Sequence, residues 1–209
     1  YRVDEFLFGY QAAPAEDGKS AAMESILKQA AERGNKVQFV VVYLAPGDYH
    51  RFHSPAIHRG HFRRHIAGYL SPVKPSYVNK HRDVFKNNER VNIFGEWRDS
   101  DFFFTSFVGA LNVGSVVLDF DDEVVTNRSL PRAPYYEDKA YAADLQSPLG
   151  CYEGNSSCSG GVSFAKGEMT GRFEMGSTIV LIYEVPRDAT TCVGEGDKVT
   201  LGQHLVSAQ

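Results

Sequence analysis

Long apolar runs are missing from this sequence. No hydrophobic stretch approaches the roughly 20 residues that a helix needs to cross a bilayer, so no membrane-spanning helix is expected. An excess of positive charge is missing too. The chain carries 22 Lys and Arg against 26 Asp and Glu, for a net charge of −4 and a pI near 6.0, which gives no sign of a nucleic-acid binder. Cysteine is scarce and odd in number: Cys151, Cys158 and Cys192 among 209 residues. The simplest reading is reduced thiols in a protein that is not secreted, although Cys151 and Cys158 flank a small polar loop and can pair in an oxidising compartment. Asn127-Arg-Ser and Asn155-Ser-Ser fit the glycosylation triplet, a pattern common by chance. There are no internal repeats, no convincing domain boundary and no signal or transit peptide. The chain also opens on Tyr1 without a Met, inside an element already under way, so an N-terminal part of the full protein is expected to precede it.

What is present is an ordinary globular composition, 43% apolar and 23% charged with 19 Gly and 14 Phe, in a chain long enough for one domain with a core. One strong helix is predicted from Ser20 to about Arg33. Met23, Ile26, Leu27, Ala30 and Ala31 fall at helical spacing, Ser20 stands at the N-cap and Gly34 at the C-terminal stop. Val37–Leu44 reads as a buried strand from its β-branched and aromatic run. A shorter helix is expected after Pro75. Strands are expected at 90–97, 102–108, 115–120, 178–184 and 198–204. The stretch 136–161, rich in Ala, Ser, Gly and Cys, reads as a long surface insertion. The fold class is therefore β-dominated α+β: a single compact domain over 1–209, of packed β-sheets with one or two short helices.

Two segments carry chemistry. In the first, Met175-Gly176-Ser177-Thr178 precedes the apolar run Ile179-Val-Leu-Ile-Tyr183. Gly-Ser-Thr before a strand is usually a turn. It is also a place where a hydroxyl can add to the preceding carbonyl and convert an amide to an ester. The second segment is Tyr43-Leu-Ala-Pro-Gly-Asp-Tyr-His-Arg-Phe-His-Ser-Pro55, which sets His50 and His53 three apart after a strand. Three readings stand there: a polar loop whose histidines only hydrogen-bond, acid–base work near neutral pH, or zinc ligation shared with His58, His61 or His65. Arg51, Arg59, Arg63 and Arg64 would suit an anionic substrate, though such a run is more often a solvated face.

Together these segments closely resemble the phosphatidylserine decarboxylase family, of the eukaryotic mitochondrial type. Arg64-His-Ile-Ala-Gly68, Asn88-Glu-Arg90, Val108-Gly-Ala110, Asn112-Val-Gly-Ser115, Lys166-Gly-Glu168 and Gly171-Arg-Phe173 fall in family order, so the resemblance covers nearly the whole chain. It implies a lyase whose cofactor is a covalent pyruvoyl group made from Ser177. Ser177 Oγ attacks the Gly176 carbonyl, elimination leaves a dehydroalanine, and hydrolysis yields the pyruvoyl and ammonia. Self-cleavage at 176/177 would give a β chain, 1–176, and an α chain, 177–209, that remain associated. His53 is implied as the base for Ser177, oriented by an Asp expected upstream of Tyr1. Asp17-Gly18 reads as a surface turn. His50 is implied as proton donor or carboxylate contact. Phosphatidylserine would form a Schiff base with the pyruvoyl and leave as phosphatidylethanolamine, with no metal and no nucleic acid required. The resemblance further implies a membrane-surface partner, a homodimer and the mitochondrial inner membrane, with an endomembrane or secreted form as the alternative. Phe52, Ile57, Phe62, Arg63 and Arg64 are the candidates for lipid contact. Two other activities fit the same residues: a pyruvoyl-dependent decarboxylase of a soluble amino acid, and a His-ligated zinc hydrolase.

Overall fold

A computed structural model describes residues 3–9, 21–98, 100–111, 115–128, 135–143, 145–152, 158–174 and 177–207. Ser20, Asp17, Gly18, Asn112, Asn155, Met175 and Gly176 lie outside the described residues. In chain order the elements begin with helices α1 (Val3–Phe8) and α2 (Ala21–Glu32), then strands β1 (Asn35–Tyr43), β2 (Arg51–His53) and β3 (His58–Ile66). Two single-turn helices follow, α3 (Pro75–Val78) and α4 (Val84–Asn87), and then β4 (Arg90–Trp97), β5 (Asp101–Val108), β6 (Val116–Leu118) and β7 (Tyr136–Ala140). The chain ends with β8 (Val162–Phe164), β9 (Met169–Phe173), β10 (Thr178–Pro186), β11 (Thr190–Thr191) and β12 (Val206–Ser207).

The strands build an antiparallel sheet in the order β1-β10-β5-β4-β3-β7, with β8 paired to β3, and a small sheet in the order β2-β9-β6. Residues 102–104 of β5 and 179–183 of β10 read as continuous apolar sequence because both faces of the sheet are covered there. Phe102, Phe104, Val180 and Ile182 face the main core under α1 and α2. Phe103, Leu181 and Tyr183 face a second cluster closed by Ala189, Leu205 and Val206. Helix α2 ends as its sequence predicts. Gly34 adopts φ +75° and donates its amide to Ala31 O at 3.0 Å, a left-handed stop that glycine enters without a steric penalty. The short helix α1 is held by side chains of the sheet. Arg90 donates to the carbonyls of Glu5 and Phe6, Asn92 to those of Phe6 and Leu7, and Arg64 to that of Phe8, so the carbonyls that a helix end leaves open are satisfied.

Four expectations are corrected. β1 is an edge strand rather than a buried one, with Phe39 and Val41 exposed to 50% and 53%. The single helix after Pro75 is two one-turn pieces, separated where Asp83 takes a left-handed φ of 64°. Lys198–His204 forms a turn, closed by Gln203 N to Thr200 O at 3.1 Å, with Gly202 at φ +82°. The stretch from 136 opens with strand β7 on β3 and places Leu149 and Tyr152 in the main core. Tyr152 OH donates to Gly95 O, and a disulfide joins Cys151 to Cys158 with the Cα atoms 5.5 Å apart.

The small sheet positions the histidine segment. Its inner face carries Phe52, Val116, Leu118 and Phe173, all buried. Phe52 stacks on Phe107 with ring centroids 3.9 Å apart and meets Phe173 edge-on at 5.1 Å. Gly171 pairs with Phe52 across the β2–β9 ladder, and a Cβ there would lie 2.6 Å from the Phe52 ring, so only glycine fits. This aromatic contact docks β2 against the end of β5 beside the start of β10.

Candidate active site

Ser177 stands immediately before β10, the strand flanked by β1 and β5. Thr178 is in register with Tyr43 on one side and Val108 on the other. The Ser177 carbonyl accepts the Leu44 amide at 2.7 Å. Its side chain is fully buried, and Oγ has no hydrogen-bond partner among the described residues. A buried hydroxyl without a partner costs about 1–3 kcal/mol, and a catalytic role is one of the reasons a native structure keeps one.

The loop from Leu44 to His50 runs from this serine to the small sheet. Asp48 closes its Pro46-Gly47-Asp48 turn, donating N–H to Ala45 O at 2.9 Å and accepting Ala45 N at 2.8 Å. At the far end His50 O accepts the Phe173 amide at 2.9 Å. The same loop is thus bonded to Ser177 at one end and to Phe173, four residues earlier in sequence, at the other. His50 Nε2 lies 3.1 Å from Pro46 O. A carbonyl only accepts, so Nε2 carries the proton in the neutral ring, and Nδ1 is left as a buried nitrogen without a partner among the described residues. His53 has both ring nitrogens engaged: Nδ1 is 2.9 Å from Gly167 O and Nε2 is 2.9 Å from Tyr49 OH. The structure therefore brings His50, His53 and Ser177 to one loop and its anchors, but it does not join His53 to Ser177 by a hydrogen bond. Sequence reasoning missed Tyr49 and Gly167 as contacts of His53. The one signal for them was that both belong to the segments that carried the resemblance.

The other histidines serve the sheet. His58 lies between the rings of Phe103 and Phe164, at centroid distances of 4.5 and 4.8 Å, and burial pushes its imidazole down to about 4. His61 is buried, which lowers its pKa, with Nε2 3.4 Å from Glu96. His65 Nε2 is 2.9 Å from Glu89, whose carboxylate also accepts the Asn127 amide. No three His, Cys, Asp or Glu side chains converge as metal ligands among the described residues.

The proposed lipid contacts are corrected by burial. Phe52, Phe62, Arg63 and Arg64 are each less than 5% exposed. Arg63 Nε donates to Asp121 at 3.0 Å and Arg64 Nη2 to Asp138 at 2.6 Å. Asp121 also accepts Lys139 and the Tyr141 hydroxyl. Burial alone would raise the Asp121 carboxyl, but these donors and the Arg63 charge hold it below its ordinary range. Such residues knit β3 to its neighbours. Ile57, 76% exposed, is the one member of that set left facing solvent.

The family model for phosphatidylserine decarboxylase matches residues 1–207. This chain belongs to the phosphatidylserine decarboxylase family. Among curated relatives, the mitochondrial phosphatidylserine decarboxylase proenzyme 1 of Saccharomyces cerevisiae is 43% identical over 169 residues, covering 80% of this chain and 32% of the relative. The mitochondrial proenzyme of Rattus norvegicus is 36% identical over 189 residues, covering 90% of this chain and 43% of the relative. That of Arabidopsis thaliana is 35% identical over 178 residues, covering 80% and 37%. The chain thus spans less than half the length of these members of the phosphatidylserine decarboxylase family.

Proposed function

We propose that this chain is the catalytic domain of a mitochondrial phosphatidylserine decarboxylase, converting phosphatidylserine to phosphatidylethanolamine, and that Ser177 is the precursor of its pyruvoyl group. The observation that carries the reading is the fully buried Ser177 hydroxyl, without a hydrogen-bond partner among the described residues, at the entrance to an interior strand, in a chain matched to the family from 1 to 207. A serine held there without a partner fits a group that is consumed rather than one that serves the fold. The disulfide between Cys151 and Cys158 suits a thiol-oxidising space, and the relatives carry the mitochondrial name.

Ser177 Oγ is the proposed nucleophile on the Gly176 carbonyl, with His53 as its base, since an unactivated hydroxyl attacks poorly. Cleavage there would leave 1–176 and 177–209 as associated chains. The pyruvoyl group supplies an electron sink for the bond broken as carbon dioxide leaves. His50 is the proposed proton donor. Its protonated Nε2 is anchored on Pro46 O, which leaves Nδ1 as the nitrogen to exchange a proton with substrate. Phe52, Phe107 and Phe173 exclude water behind the loop. A membrane surface and a second copy of the chain complete the proposed partners.

The test is the intact mass of the full-length protein, with activity measured on phosphatidylserine vesicles and on free amino acids. Two chains divided between Gly176 and Ser177, with turnover of the vesicles, are expected, and Ser177→Ala abolishes both. A single uncut chain that is still active would end the reading.

A further inference from the structure

We infer that Arg51 and Arg172, paired across the outer face of the small sheet, form the site that takes the phosphate of the substrate headgroup. This rests on the proposed activity on phosphatidylserine and names where its phosphodiester anion is held.

The register of the β2–β9 ladder sets Arg51 directly opposite Arg172, as it sets Phe52 opposite Gly171. Side chains at such a pair leave the same face, with Cβ atoms about 4.5–5.5 Å apart, and like charges there destabilise a sheet. Phe52 and Phe173 meet the Phe107 ring on the inner side, so alternation along each strand turns the two arginines outward. Arg51 is exposed and the Arg172 side chain is 41% exposed.

The fold gives these guanidiniums little in return. Arg51 Nη1 donates to the Met169 sulfur at 3.3 Å, a weak acceptor. Arg172 Nη1 lies 3.8 Å from Asp119 Oδ1 in a solvent-open pair, which contributes little at that length. Glu174, two residues along, is exposed and makes no ion pair among the described residues. The arginines of the large sheet are used quite differently. Arg63 and Arg64 are buried against carboxylates at 3.0 and 2.6 Å, and Arg90 gives its donors to backbone carbonyls. Arg51 and Arg172 keep most of their forked donors unused among the described residues.

Two adjacent forks of N–H donors match the oxygens of a phosphate, in charge-assisted bonds of the strong kind. An anion between them also removes the repulsion that the empty pair carries. The position suits the chemistry. Arg51 directly follows His50, the proposed proton donor, and touches Met169, which is the cross-strand partner of His53. In phosphatidylserine the phosphorus stands three bonds from the carbon that loses its carboxylate, a span close to the roughly 3.3 Å rise of one strand residue. A phosphate on the arginine pair therefore leaves the serine end at the histidine segment. Exposed Tyr49 and Ile57, at either end of that segment, offer apolar surface to the rest of the lipid. Free serine has the same amine and carboxylate but no phosphodiester, so this pair is also what separates the lipid from a soluble amino acid.

The test uses the full-length, self-cleaved enzyme with a short-chain phosphatidylserine kept below its micellar concentration, and phosphatidylserine vesicles in parallel. Arg51→Gln and Arg172→Gln are each expected to raise KM for the soluble lipid on the order of tenfold or more, as for a lost charge-assisted bond. kcat should stay within about twofold, because the contact is made equally before and during the reaction. Lysine at either position keeps the charge without the fork and should give an intermediate KM. Inorganic phosphate is expected to compete with the soluble lipid in the wild type and to lose that effect in both Gln variants. Self-cleavage reports folding, and a Gln variant that does not cut itself is read through its Lys counterpart. An unchanged KM for the soluble lipid, or phosphate competition that is absent from the wild type or survives in the variants, overturns the inference. So does a defect confined to vesicles, which would assign the pair to the bilayer surface and not to the substrate. If the wild type turns over free serine and not the lipid, the proposed function fails. If it turns over the lipid and the variants keep its KM, this inference alone fails.

Discussion

Replacing His58 by phenylalanine is expected to make the fold less sensitive to mild acid. The imidazole lies between Phe103 and Phe164, with Nδ1 2.8 Å from Ser54 Oγ, and burial holds its folded value at about 4 against 6.5 in an open chain. The sign follows from the direction of that shift. Between these values the unfolded chain takes up a proton that the folded chain refuses, so the stabilisation is complete above pH 6.5 and is lost as pH falls toward 4. From pH 7 to pH 5 the loss comes to about 2 kcal/mol. Phenylalanine preserves the ring contacts, and Ser54 Oγ still donates to Ala56 O at 2.6 Å, so no new buried donor is stranded. The assay is urea unfolding of the full-length Ser177→Ala precursor, with and without His58→Phe, at both pH values. The change in unfolding free energy between pH 7 and pH 5 is expected to be smaller in the His58→Phe protein by about 2 kcal/mol. Equal losses in the two proteins would refute the claim that His58 is buried in its neutral form.

Three further outcomes are expected. Phe52→Ala removes the ring that docks the small sheet on Phe107, should cost about 3–5 kcal/mol, and should slow self-cleavage as the histidine loop loses its seat. Calorimetry and intact mass check both effects. Glu184→Gln weakens the bonds of a fully buried carboxylate to Arg33 Nη2 at 2.6 Å and Asn35 Nδ2 at 2.8 Å. Burial raises that carboxyl, but its donors lower it further, so the net value lies below 4.5. The stabilisation is present above pH 4.5 and is lost as pH falls through the folded value; melting of the variant should therefore depend less on pH below 4.5 than melting of the wild type. The paired variant Cys151→Ser, Cys158→Ser opens a short ring next to Tyr152 and should lower stability by about 2 kcal/mol, with no effect of reductant on the variant in the same urea titration.

The sequence was legible where local physics acts alone. Helix α2 and its Gly34 stop, and strands β4, β5 and β10, follow from periodicity and apolar runs. β3 was not read as a strand because His61, Arg63, Arg64 and His65 look like a solvated face. They are buried only because Asp121, Asp138, Glu89 and Glu96, distant in sequence, come to meet them. β1 was read as buried from Phe39 and Val41, since edge and centre depend on strand order and not on composition. At the candidate site, Ser177, His50 and His53 were visible through a family pattern. The partner Gly167 was not, because a carbonyl acceptor has no residue type to betray it, and the Tyr49 hydroxyl was not, because its approach to His53 depends on how the loop folds.

The position of β10 has a consequence for the protein's life history. The strand is in register with β1 at nine positions and with β5 at six. If the backbone is cut before Ser177, as proposed, none of those pairings is broken, and the small fragment stays woven into the sheet between β1 and β5. The change lies in the route back from denaturation. Before the cut, refolding is a single-molecule event. Afterwards this interior strand must be recaptured from solution, at a rate that depends on concentration. Maturation on this plan runs one way: the sheet must form first, and a matured molecule once unfolded at high dilution does not return.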